Sequence, residues 1–218
     1  MSLENLVSLQ LSVMQPSEAE AAADILKVAD SIWEEVSAEF YDKEILPSLV
    51  DYLRQRSLTI VAKLDGKIVA AYDLPKFFAT EDGRLAFGKT AYKDFMGTTM
   101  YSGVDGYFAV GEKGSGVGTA FFSLFERIVE HIAYEAGMPI VHRVEATHRS
   151  KAFFENRCSY REVKFTPGLR VDIHTMERSY QQLKHDLLAN ERQIVDSLMA
   201  LVREKLQPAA PAAIASTQ

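Results

Sequence analysis

Apolar positions along the chain switch between a period of two and a period near 3.6, and the switches mark its elements. Residues 6–13, Leu-Val-Ser-Leu-Gln-Leu-Ser-Val, alternate loosely and predict a first strand. Pro16 and Ser17 then open a helix, with Ser17 as N-cap and Glu20 at capping-box spacing. Its apolar stripe is Ala22, Ile25, Leu26, Ala29, Ile32, Trp33 and Val36. A second helix is expected over 42–56, with Ile45, Leu49 and Leu53 inward and Pro47 near its first turn. Residues 58–63 and 67–74 are β-rich runs flanking Leu64-Asp65-Gly66, the strongest short-range signal of a hairpin.

The stretch 75–103 breaks this rhythm. It carries Pro75, Gly83, Gly88, Gly97 and Gly103 among Phe77, Phe78, Phe87, Tyr92, Phe95, Met96, Met100 and Tyr101. Such a long aromatic connection between strands reads either as a substrate-lining segment or as a packed insertion with a short helix near 92–96.

The most informative stretch follows. Gly106-Tyr-Phe-Ala-Val110 is an apolar run, then come Gly111-Glu-Lys-Gly-Ser-Gly-Val-Gly118 and a helical pattern reaching Gly137. Strand, glycine-rich turn and helix form the geometry of a phosphate cradle: glycines let backbone N–H groups approach an anion, and the helix N-terminus adds partial positive charge. The plainer reading is a glycine turn ahead of a helix. Phe122, Phe125, Val129, Ile132 and Ala136 form the core stripe of that helix, widened by Phe121, Leu124 and Ile128. Beyond Pro139, residues 140–146 predict a strand, and Ser150 caps a short helix over 151–157. Residues 161–165 and 169–174 read as further strands. A long amphipathic helix is expected over 176–206, and the Pro/Ala-rich tail 207–218 as disordered.

Composition narrows the function. A net charge of -6 speaks against a general nucleic-acid binder. No apolar run approaches the roughly 20 residues that span a bilayer. The N-terminus lacks a basic region followed by an apolar one, and Cys158 is the single cysteine, which together predict a cytoplasmic protein. The five histidines are scattered with no zinc spacing, so no metal is expected.

Four features in order resemble the GCN5-related N-acetyltransferase (GNAT) family. They are the hairpin Ile60-Val-Ala-Lys-Leu-Asp-Gly-Lys-Ile-Val-Ala-Ala-Tyr72, the loop Lys113-Gly-Ser-Gly-Val-Gly118, the helix and strand after it, and Ser150-Lys-Ala-Phe-Phe-Glu-Asn-Arg-Cys-Ser-Tyr160. The resemblance covers 58–165 well and 1–57 weakly, and leaves out 75–103 and the C-terminal helix.

It implies an α+β, three-layer fold: a mixed sheet splayed between strands at about 104–110 and 140–146, flanked by helices, with a long C-terminal helix. The acyltransferase domain would be 1–175, carrying the insertion 75–103. By the same resemblance acetyl-CoA, or another acyl-CoA, would lie in the splay as co-substrate. Ala109, Val110, Lys113, Gly114, Ser115, Gly116, Val117, Gly118, Thr119 and Phe154 would hold it. The activity implied is direct N-acyl transfer to an amine, borne by a small molecule or a protein. The alternative is a CoA-binding protein without transfer activity that works through protein contacts. A homodimer or a protein partner would use the C-terminal helix.

Lys113 stands where the family has Arg or Gln, and still supplies charge. Phe154, or Glu155 in the next alignment, stands where the family has Tyr, and phenylalanine donates no proton. Asp105, Glu145 and His148 are the candidates for proton transfer, each with a competing reading as a turn or surface residue. Cys158 reads as a small buried apolar residue, and Tyr160 as core packing.

Overall fold

Asp65 and Gly66 both take positive φ, +50° and +77°, the type I′ geometry whose twist matches antiparallel strands. They join β2 (Thr59–Leu64) to β3 (Lys67–Asp73). Around this hairpin a computed structural model describes residues 8–27, 37–55, 58–74, 77–79, 84–88, 91–93, 99–101, 108–112, 114–167 and 172–206.

β1 (Gln10–Val13) pairs antiparallel with β2, and β8 (Phe108–Val110) with β3, giving a four-stranded sheet ordered β1-β2-β3-β8. The second sheet is β10 (Arg161–Thr166), β11 (Ile173–Tyr180), β9 (Ile140–Thr147), β5 (Leu85–Gly88) and β4 (Phe77–Ala79), in that order. β5 and β9 are parallel and their neighbours antiparallel, so the architecture is mixed, as the sequence predicts.

The register refines the expectation for 75–103. β4 follows β3 closely and pairs with β5, while β3 pairs with β8. β5 and β8 therefore lie in different sheets. Between them β6 (Ala91–Lys93) and β7 (Thr99–Tyr101) pair as a hairpin, and the other residues of 89–107 lie outside the described residues. Of the short helix expected near 92–96, residues 92–93 are strand instead, because cross-strand partners decide such segments, and 94–96 lie outside the described residues. Of the strand expected at 104–110, Phe108–Val110 is observed and 102–107 lie outside the described residues.

Helices cover both faces. On one, α1 (Ala19–Leu26) and α3 (Leu46–Gln55) bury Ala22, Ala23, Leu26, Leu49 and Leu53 against Val61, Ala71 and Ala109. The cap of the first helix lies two residues before the predicted one: the Gln15 N–H donates to Glu18 Oε2 at 2.9 Å ahead of the Pro16–Glu18 3₁₀ turn. Its predicted extension to Val36 lies outside the described residues. The second helix starts earlier than expected. Ser37 Oγ accepts from the Phe40 N–H at 3.2 Å and caps α2 (Ala38–Phe40), which runs through a π-turn, Tyr41–Ile45, into α3. Pro47 has no N–H to continue an α-ladder, and the wider turn lies just before it.

On the other face lies the larger core, filled by α4 (Val117–Ala136), α5 (His148–Cys158) and α6 (Ala189–Leu206). Phe121, Phe122, Phe125, Ile128 and Ile132 face inward, as their spacing predicts, and Gly137 ends α4 at φ +68°. α5 begins three residues before the predicted 151, with Thr147 as N-cap, its N–H donating to Ser150 Oγ at 3.1 Å. Ser150 thus sits inside the first turn.

The C-terminal element divides. Residues 173–180 form β11, paired along all of β9, and 181–188 lead to α6, so the helix begins at 189 rather than 176. The apolar spacing of 176–183 fits either period, and the open edge of β9 selects the strand. Ile194, Val195, Leu198, Met199 and Val202 are buried in the larger core, where α6 packs on α4 and β1. Asn190 Nδ2 donates to Leu11 O at 2.5 Å, and His185 Nε2 pairs with Glu130 at 2.7 Å. The tail 207–218 lies outside the described residues.

Candidate active site

The two sheets part at a definable point. β9 pairs with β5 only up to Gly88↔Arg143. β8 pairs with β3 from Tyr72↔Phe108 to Ala70↔Val110, and Gly111 N–H extends that ladder to Val69 O at 2.9 Å. Among the described residues β8 and β9 share no pairing, so residues 144–147 of β9 and the facing edge of β8 bound a cleft. On the side of β9 away from β11, no strand among the described residues pairs with it there, which suits an extended ligand rich in amides.

The glycine loop closes the mouth of this cleft. Gly114 and Gly116 take φ +78° and +81°, conformations that side chains avoid. Ser115, 8% exposed, folds inward, its Oγ donating to Glu112 O at 2.7 Å. The first full helical bond of α4 is Ala120 N–H to Gly116 O at 3.0 Å. The Val117 N–H reaches only Ser115 Oγ at 3.4 Å, and the Gly118 and Thr119 amides stand in the first turn, where no helical carbonyl precedes them. These donors and the dipole of a 20-residue helix have the geometry that favours an anion. Gly118 has a different reason to be glycine: a Cβ there would meet Phe153 Cζ at 3.2 Å and Phe108 Cε1 at 3.7 Å.

The predicted residues distribute unevenly. Ala109 and Val110 lie on β8 and lead into the loop. Gly114, Ser115, Gly116, Val117, Gly118 and Thr119 converge on the helix start, and Lys113 lies outside the described residues. Glu112 is exposed. Glu145 lies on β9 beyond its last pair with β5, opposite Thr175 of β11, on the face away from α4. His148, exposed, is the first residue of α5 just past the same strand. Asp105 lies outside the described residues.

Phe154 does not reach the loop. It is buried, with Phe122 at 5.5 Å and Tyr160 at 5.4 Å between ring centroids. Its neighbour Phe153 is the ring against Gly118, because consecutive helical residues point about 100° apart. Glu155 is exposed and pairs with Lys151 at 3.6 Å, so neither position supplies a phenol. Cys158 is buried, its thiol pushed up to about 12 by burial, and Tyr160 belongs to the core.

Sequence reasoning missed a polar chain through that core. Tyr72 Oη lies 2.5 Å from His142 Nε2, His142 Nδ1 lies 2.6 Å from Tyr160 Oη, and Tyr160 Oη lies 3.1 Å from Tyr180 Oη. Phe87 stacks on the imidazole at 4.4 Å with planes 4° apart. Burial foremost, then the Arg178 charge, pushes the His142 pKa down to about 3, so the ring is neutral. Burial also raises the phenols of Tyr72 and Tyr160 well above their ordinary range. A signal existed: His142 alternates with Ile140, Val144 and Ala146 on the core face of its strand. A second buried polar group, Asp73, accepts from Thr59 Oγ1 at 3.1 Å and Tyr52 Oη at 3.2 Å on the opposite face.

Among the described residues no cluster of three or more His, Cys, Asp or Glu could hold a metal, and no helix is long and apolar enough to cross a membrane. No family model and no curated protein matches the chain. Solved structures do. A histone acetyltransferase HPA2 and related acetyltransferase from Corynebacterium glutamicum superposes with a TM-score of 0.51 at 13% identity, covering 84% of this chain and 99% of that one. The PaiA N-acetyltransferase from Thermoplasma acidophilum, in complex with coenzyme A, scores 0.47 at 14% identity over 79% of this chain and 99% of that one. The ribosomal-protein-S18-alanine N-acetyltransferase from Escherichia coli scores 0.46 at 14% over 83% and 99%. The first of these, with the splayed sheet and the glycine loop at its mouth, shows a GNAT-like fold.

Proposed function

We propose that this chain is an acyl-CoA-dependent N-acyltransferase, moving acetyl from acetyl-CoA to an amine by direct transfer. The observation that carries the proposal is the junction of the two features above: an anion cradle at Gly114–Thr119 opening straight into a cleft walled by unpaired strand edges. The cradle suits a pyrophosphate and the cleft suits the amide-bearing arm that follows it in CoA. The acyl-CoA supplies a thioester whose carbonyl carbon accepts the amine.

The chain's own residues would then act as follows. The Gly118 and Thr119 N–H groups hold the pyrophosphate, and unpaired β8 amides stabilise the oxyanion as the amine attacks. The new C–N bond forms as the C–S bond breaks. Glu145, on the cleft wall away from the cradle helix, takes the amine proton directly or through one water. The departing thiolate is protonated from water, since Phe153 and Phe154 bear no proton. His148 stands beside the same wall as the alternative base, and Asp105 retains the sequence argument alone.

Isothermal calorimetry with acetyl-CoA tests the reading. Gly116→Ala and Gly116→Glu share the strain of a side chain at φ +81°, about 1–2 kcal/mol, but only Glu places bulk and negative charge in the cradle. Gly116→Glu should lose at least tenfold more affinity than Gly116→Ala. Equal affinities would remove the cradle assignment.

A second reading rests on the missing phenol: a CoA-binding protein without transfer activity. Tight CoA binding with no CoA release across a broad amine panel would select it. The buried apolar face of α6 counts against that helix as its partner surface.

A further inference from the structure

The Tyr72–His142 bond lies at a particular place in the fold. Tyr72 is the last β3 residue paired with β8, opposite Phe108. His142 is opposite Phe87, one pair before the β5–β9 ladder stops. The two residues therefore stand at the vertex of the cleft, one on each sheet. Beyond the vertex no backbone ladder among the described residues ties one wall to the other.

We infer that the Tyr72–His142 hydrogen bond is a latch that fixes the opening of the cleft, and that both are positioning residues for the acyl-CoA that would occupy it. The inference rests on the acyl-CoA reading for its ligand, but not for its geometry. Three features make the bond suited to this work. It is buried, Tyr72 at 1% and His142 at 0% exposure, so water does not compete for either partner. It is caged by rings that limit sideways movement: Phe87 stacked at 4.4 Å, and Phe125 edge-on to both Tyr72 and His142 at 5.7 Å. And the imidazole is held from behind by Tyr160 at 2.6 Å, which sets its orientation.

The remaining link of the chain, Tyr160 to Tyr180, lies within the second sheet and its adjoining turn and crosses nothing. This supplies the control. Tyr72→Phe and Tyr180→Phe each delete one buried phenolic oxygen from the same network and keep the ring. Only the first cuts the tie between walls. A merely structural role would make the two variants alike.

Two measurements on the full chain decide it. In the ligand-free protein, amide hydrogen exchange at 108–111 and 144–147 should quicken about tenfold in Tyr72→Phe, the factor for losing one buried hydrogen bond. In Tyr180→Phe the same amides should change less than threefold. With acetyl-CoA as probe, Tyr72→Phe should bind at least fivefold more weakly, while Tyr180→Phe at equal or lower melting temperature stays within twofold. His142→Leu, which bears no hydrogen-bonding atom, cuts the bridge from the other wall and should follow Tyr72→Phe in both. If both tyrosine variants shift exchange alike, or if Tyr72→Phe leaves exchange at these strands unchanged, the latch is overturned. If the wild type binds no acetyl-CoA, the acyl-CoA reading fails, and the exchange arm still decides the latch.

Discussion

Acid should destabilise this protein through His142 well before neutrality gives way to strong acid. The ring is fully enclosed, and its pKa lies near 3, against 6.5 in the unfolded chain. The folded value is depressed, so the unfolded state binds the proton first. The contribution to stability is then whole above pH 6.5 and falls as pH drops toward 3. Between pH 8 and pH 5 the loss is RT ln[(1 + 10^1.5)/(1 + 10^−2)], about 2 kcal/mol. That is a large share of the roughly 5–15 kcal/mol that holds a domain together. With a urea m-value of about 2–3 kcal/mol/M, the midpoint should fall by about 0.7–1 M.

His142→Gln removes the titration while keeping a hydrogen-bonding side chain. Its absolute stability should be lower by about 1–3 kcal/mol. Its pH dependence should be flatter than the wild type's by the 2 kcal/mol above, because every other ionisable group is common to both proteins. Glu18 and Glu162, which accept hydrogen bonds from Gln15 and from Lys151 and His174, titrate below this window and cancel in the difference. Urea titrations at half-unit steps from pH 8 to 5 measure it. Parallel curves for wild type and variant would refute the reasoning.

Two further outcomes are expected. Leu198→Ala, at a site 1% exposed in the larger core, should cost about 2–5 kcal/mol in a denaturation series; a cost under about 0.5 kcal/mol would mean that α6 does not pack as described. Glu145→Gln should lower kcat for amine acetylation by about 10²–10⁴ while leaving the KM for acetyl-CoA unchanged; an unchanged kcat would transfer the base role to another group, with His148→Gln the next variant to assay.

The hairpin at Asp65-Gly66, the core stripe of α4 and the glycine loop were legible because each is local. Positive φ at a turn, 3.6-residue spacing and a glycine-lined helix start all follow from neighbours in the chain. Boundaries were less legible. The start of α5 moved to its Thr147 cap, and the stretch 176–180 became strand because β9 offers a full-length partner there. For Phe153 and Phe154 the sequence supplies two adjacent rings and no means of choosing between them. Only the rotation of α5 against α4 turns one to Gly118 and the other to the core.

The sequence by itself determined the β2–β3 hairpin, the glycine turn ahead of α4 with its core stripe, and the resemblance in pattern to GNAT acetyltransferases, since each is written in contiguous residues. Tertiary structure alone decided that 85–88 pair with 77–79 and β9 in one sheet while 108–110 pair with β3 in the other. It also brought Tyr72, His142, Tyr160 and Tyr180 into one buried chain at and behind the cleft vertex. Those residues lie 70, 18 and 20 positions apart from link to link. Contacts over such separations come from sheet register and helix packing, which no local pattern encodes.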